Sequence, residues 1–151
     1  MYTINNMRSF SKDYKKINGR FDVFKNTLKE YFASKNINDI FSEPVNSNAL
    51  FSIMGFDFGT RVMPFIYNGE IYGEVSFFMM YRDGTTGENL KNLYISSNGN
   101  VFFELNATGP VWADIEVDDL SPPPQFNSGN HISDKLLIPL ANQLFKLFTT
   151  S

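Results

Sequence analysis

Two Asn-Gly pairs constrain this chain more than any other feature: Tyr67-Asn68-Gly69-Glu70 and Ser97-Asn98-Gly99-Asn100. Asn-Gly is the pair best suited to a two-residue turn with positive φ at both positions, and the flanks of each are apolar and alternating. The first pair sets a register. With Tyr67 opposite Glu70, Ile66 faces Ile71, Phe65 faces Tyr72, Pro64 faces Gly73 and Val62 faces Val75. Side chains alternate between the faces of a strand. One face therefore carries Val62, Ile66, Ile71 and Val75. The other carries Arg61, Met63, Phe65 and Tyr67 against Ser76, Glu74, Tyr72 and Glu70, with Arg61 and Glu74 as a diagonal charge pair. Pro64 falls where its nitrogen points away from the partner strand, which predicts an edge strand or a local bulge. An unprotected edge is a place where a partner can add on.

The remaining elements follow from period and punctuation. Phe21, Phe24, Leu28, Tyr31 and Phe32 form one stripe with helical spacing, which predicts a helix over 20–35. Residues 1–19 are polar and end in Asn18-Gly19, so they are expected as a loosely ordered segment. A loop rich in Asn and Ser spans 36–48, and short strands occupy 49–117. The run Phe77 to Tyr81 is apolar on both faces, as in a strand covered on two sides. Ser121-Pro122-Pro123-Pro124 ends the sheet region. Residues 133–148 read as an amphipathic helix with Ser133 as N-cap, either kinked at Pro139 or starting there. The expected architecture is a single α+β domain over 1–151. It has an antiparallel meander of about 5–6 strands, with an N-terminal and a C-terminal helix packed on one face.

The last strand supplies the candidate binding surface. Val111, Ala113, Ile115 and Val117 line one face, and Trp112, Asp114, Glu116 and Asp118 the other. An aromatic side chain followed by three carboxylates suits a basic protein partner. The charge balance agrees. Residues 1–40 hold eight basic and four acidic side chains, and the rest hold five basic and twelve acidic, for a net of -3. The basic part is too sparse for a nucleic-acid footprint.

Catalytic signatures are missing from the sequence. The chain has no cysteine and one histidine, His131, in a Gly/Asn/Ser loop without a nucleophile elbow or metal-ligating companions. Alternate carboxylates on one strand face lie about 7 Å apart, too far for Asp114, Glu116 and Asp118 to hold one cation by themselves. The glycines form neither a phosphate loop nor a dinucleotide fingerprint. No cofactor or metal is expected. The N-terminus lacks a secretion signal and no run reaches bilayer length, so the expected address is cytoplasmic, without a membrane partner.

Three segments taken in order resemble the SUKH superfamily: 93–103, from Leu93 through Asn98-Gly99 to Phe103, then Gly109-Pro110-Val111-Trp112, then Ile138 to Phe148. That resemblance implies a strand, an Asn-Gly turn, a second strand and a closing helix. It also implies an immunity protein that blocks a secreted toxin, often a nuclease. The leading expectation is therefore a non-enzymatic protein that binds a basic toxin domain through Trp112, Asp114, Glu116 and Asp118. The alternatives are an acidic chaperone for a secreted effector, and a small-molecule-binding domain or enzyme with a pocket between sheet and helices. The sequence leaves the oligomeric state open.

Overall fold

The computed structural model describes residues 2–34, 40–106, 111–112 and 136–149, with side chains described for 2–30, 40–106 and 136–149. Its elements run α1 (Ile4–Ser34), β1 (Phe41–Ser42), β2 (Phe51–Ile53), β3 (Phe56–Tyr67), β4 (Glu70–Met80), β5 (Thr86–Ile95), β6 (Val101–Glu104), β7 (Val111–Trp112) and α2 (Ile138–Phe148). The strands form one seven-stranded sheet in sequential order, every neighbour antiparallel. This is the α+β meander expected from the sequence. The extra strand over the expected count comes from pieces as short as β1 and β7, two residues each.

The β3–β4 ladder has the register that Asn68-Gly69 imposes, from Tyr67↔Glu70 through Val62↔Val75 to Asp57↔Met80. Asn68 and Gly69 have φ of 48° and 77°, the paired left-handed conformation of a tight hairpin turn. A second hairpin turn of this kind, Met54-Gly55 with φ of 52° and 83°, joins β2 to β3. The other Asn-Gly pair behaves differently. Gly99 has φ of 91° but Asn98 is not left-handed, and Ser96 N–H donates to the Asn100 carbonyl at 2.9 Å. The result is a three-residue loop in which a turn over Ser96–Gly99 is followed by one left-handed glycine.

One face of the sheet is closed by both helices. Phe24 and Leu28 of α1 and Leu140 and Leu144 of α2 join Phe51, Phe58, Val75, Phe77, Leu93, Ile95 and Val101 in one buried cluster. The crossing of α1 over β4 depends on Gly73, where a Cβ would stand 2.5 Å from Ile17 Cγ2 and 2.7 Å from Val62 Cγ2. Pro139 lies in the first turn of α2, and residues 136 and 137 continue the helix backward in the wider π-helical winding, with Leu137 at φ -63° and ψ -48°. Ser133 and the prolines at 122–124 lie outside the described residues.

α1 begins at Ile4, whereas the sequence predicts a helix only from Arg20 and a loose segment before it. Asn18-Gly19 does not break it. Its start is capped reciprocally: Thr3 N–H donates to Asn6 Oδ1 at 2.8 Å, and Asn6 N–H to Thr3 Oγ1 at 3.3 Å. At about 1.5 Å per residue, its 31 residues reach some 46 Å. Only the part from Ile17 onward contributes to the core, and Tyr2, Ile4 and Met7 are exposed.

Candidate functional site: the open face of the sheet

The face of the sheet turned away from the helices carries the odd-numbered side chains of β3 and the even-numbered ones of β4. Directly opposed pairs are Arg61↔Ser76, Met63↔Glu74, Phe65↔Tyr72 and Tyr67↔Glu70. Tyr94 of β5 stands opposite Glu74, and Phe102 of β6 opposite Tyr94. The large rings lean across intervening strands. Phe65 meets Tyr94 over β4 with centroids 5.3 Å apart, and Tyr72 meets Phe102 over β5 at 6.1 Å. Such interlocked tilted and edge-on contacts hold the rings in place; Phe65, Tyr72 and Tyr94 stay partly exposed, whereas Phe102 is buried beneath them.

Carboxylates border these rings. Tyr72 Oη donates to Glu70 Oε2 at 3.0 Å. Burial, then the hydrogen bond and negative charge of Glu70, push the Tyr72 phenol up to about 12. Burial also raises the Tyr94 phenol, helped by the charge of Glu74. A phenol whose proton is held more tightly in the fold than in the unfolded chain gives stability that is complete below pH 10. That stability is lost as pH rises through the folded value. Urea midpoints should therefore fall between pH 10 and pH 12, and a Tyr72→Phe variant should show a smaller fall over the same window.

The expected Arg61–Glu74 pair does not form. The Arg61 guanidinium lies over the Phe78 ring, 5.7 Å from its centroid, and Glu74 faces Tyr94. An exposed ion pair adds little in water, and the planar guanidinium gains more on the ring face. Phe78 is itself fixed against Gly59, where a Cβ would stand 2.6 Å from the ring. The second cover of the doubly apolar end of β4 is thus partly Arg61.

Two shallow hollows flank the rings. One of about 250 Å³ is lined by Tyr67, Glu70, Tyr72, Leu105 and Asn106. The other, of about 340 Å³, is lined by Lys91, Asn92, Tyr94 and Glu104. A separate cleft of about 410 Å³ opens at the other end of the sheet, between Met54, Phe56, Met80, Tyr81 and Phe148. Asp57 borders it, but its carboxylate accepts the Val45 and Asn46 N–H groups at 3.2 and 2.8 Å and so anchors the loop before β2. This cleft lies at the rim, between the ends of β3 and β4 and Phe148 of α2, while Phe24, Phe51, Phe58 and Phe77 fill the space deeper between sheet and helices.

Of the surface expected from the sequence, Trp112 is placed by its backbone alone, on β7 with Phe102 as its register partner. Asp114, Glu116 and Asp118, like His131, lie outside the described residues. Glu104 is partnered in register by Val111. Among the described residues, no three His, Cys, Asp or Glu side chains converge to hold a metal ion, and no helix is long and apolar enough to cross a membrane. The contributions of Tyr94 and Phe102 are not evident from the first hairpin alone, because they need the β4–β5 and β5–β6 registers.

The chain matches no family model, and no curated protein or solved structure matches it.

Proposed function

We propose that this is a non-enzymatic binding domain whose open sheet face receives a basic protein surface, acting in the cytoplasm as an immunity protein that neutralises a toxin domain. The observation that carries this reading is the interlocked set Phe65, Tyr94, Tyr72 and Phe102, bordered by Glu70, Glu74 and Glu104. Phe65, Tyr72 and Tyr94, half-buried and backed by buried Phe102, give contact area at low entropic cost, and the surrounding carboxylates select a basic counterpart and speed its approach. The acidic balance of residues 41–151 points the same way. So does the SUKH resemblance, whose segments fall on β5, its following turn, β6, β7 and α2. In this reading Trp112, Asp114, Glu116 and Asp118, the set expected from the sequence, also serve the basic partner.

Complex formation with the product of the neighbouring gene tests it. Wild type should form a stable complex. Phe65→Ala combined with Tyr94→Ala should weaken it by at least about 100-fold, the loss of two anchors worth about 1.4 kcal/mol or more each. The rim cleft beside Phe148 favours a second reading, a small apolar ligand, which thermal stabilisation by such compounds would support.

A further inference from the structure

Among the described residues, β3 is covered on its outer side only over Phe56–Phe58, where β2 pairs with it. From Thr60 to Ile66 nothing among the described residues pairs with that side. The two-residue turn makes Tyr67↔Glu70 a hydrogen-bonded pair, so odd residues of β3 bond to β4 and even ones turn their backbone groups outward. The Phe58 carbonyl, which accepts from Leu50 N–H at 2.7 Å, follows that alternation. Outward donors therefore stand at Thr60, Val62 and Ile66, with outward carbonyls at these three and at Pro64. Beside them, Met63 is 55% and Ile66 46% exposed.

We propose that a second copy of this chain occupies this edge, joining the two sheets through antiparallel β3–β3 pairing about a two-fold axis at Met63. Outward groups must face outward groups, which restricts the register. With Met63 opposite Met63, Thr60 faces Ile66 of the second copy and Val62 faces Pro64 of the second copy. Every outward N–H then meets a carbonyl, and the donor that Pro64 lacks costs each copy one bond. Sliding the register by one step either way loses a further donor–acceptor pair on each copy. One slide sets proline against proline, and the other runs into Phe58, already engaged by β2.

The side chains and charges agree with this register. The exposed methionines meet at the axis, and Val62 and Ile66 meet Pro64 and Thr60 of the second copy. In this register Glu74 lies level with the axis beside Met63, while Arg61, the single basic group of β3–β4, lies to one side of it and Glu70 to the other. Antiparallel pairing sets each Arg61 opposite Phe65 of the second copy, on the side of the axis where that copy's Glu70 lies. The helices do not obstruct. α1 lies chiefly over β4, so the two α1 axes are separated by three strand spacings, about 14 Å, against the 8–10 Å of packed helices. The pairing is independent of the toxin-binding reading, and it would merge two open faces into one continuous surface.

Sedimentation from micromolar to millimolar concentration should show wild type passing from monomer to dimer, a doubling of mass. Met63→Lys, which sets two charges together at the axis without touching the core, should remain monomeric. The chain has no cysteine, so Met63→Cys reports the register directly. Opposed non-bonded residues sit about 4.5 Å apart at Cα, within disulfide range, whereas two Arg61→Cys residues would be roughly 13 Å apart along the strands. Mild oxidation should cross-link Met63→Cys dimers and spare Arg61→Cys. The proposal is overturned by a monomeric wild type throughout, by a Met63→Lys dimer, or by equal cross-linking of the two cysteine variants. A wild type that dimerises while the open face binds no basic partner would leave this pairing standing and remove only the toxin reading.

Discussion

Phe24→Ala should lower stability by about 3–5 kcal/mol, the usual cost of deleting a buried phenylalanine when its surroundings collapse only partly. Phe24 is fully buried at the centre of the cluster that joins α1 to the sheet. Its loss removes the main contact surface of the helix as well as leaving a cavity. For a chain of this length the melting temperature should drop by roughly 10 °C or more. The comparison that gives the number meaning is Met7→Ala on the same helix. Met7 is 61% exposed, so its truncation should change stability by less than about 0.5 kcal/mol. Calorimetric melting of both variants checks this. Similar losses would mean that the projecting part of α1 is held by contacts as firm as those at Phe24.

Gly73→Val should be at least as damaging. The site has no room: a single added carbon already falls within van der Waals radii of Ile17 and Val62. Because Gly73 is paired on both sides, with Pro64 and with Ile95, the strand cannot rotate to relieve the contact. The remaining response is to lift α1, which unpacks Ile17, Phe21 and Phe24 together. Overpacking of this kind costs about 1–3 kcal/mol for one methyl, and a branched side chain adds to it. Gly73→Ala combined with Ile17→Ala should be more stable than the sum of the single losses, because the second change empties the space the first fills. Strict additivity in urea unfolding would show that α1 does not bear on β4 at this point.

Local chemistry accounts for what the sequence makes legible. The β3–β4 register follows from Asn68-Gly69, because that pair admits one turn geometry and thereby orders every residue from Val62 to Val75. The open-face residues Arg61, Met63, Phe65, Tyr67, Tyr72 and Glu74 come with it. The same dipeptide at Asn98-Gly99 misleads, since Ser96 and Asn100 close a longer loop there: Ser96 Oγ accepts the Asn100 N–H at 3.2 Å. Met54-Gly55 gives no warning, because methionine seldom takes a left-handed φ and does so here between buried Ile53 and the start of β3. The first half of α1 is hidden by its lysines and Gly19. Yet the four-and-three spacing that marks Phe21, Phe24 and Leu28 continues backward through Ile17, Tyr14, Phe10 and Met7, with Thr3 and Asn6 as the stop. Read as a periodicity rather than as composition, the longer helix is visible. The Arg61–Glu74 pair failed for an energetic reason, since a nearby ring competes well with an exposed carboxylate.

The helices cover one face of the meander, and in the proposed function the other face, bordered by carboxylates, receives a basic partner. Calorimetric titration of the neighbouring gene's product into wild type, into the Phe65→Ala, Tyr94→Ala variant and into Met7→Ala tests it most directly. The expected result is undiminished affinity for Met7→Ala and a loss of at least about 100-fold for the open-face variant, which should still unfold in one cooperative transition well above the titration temperature. Equal affinity for all three proteins would contradict it.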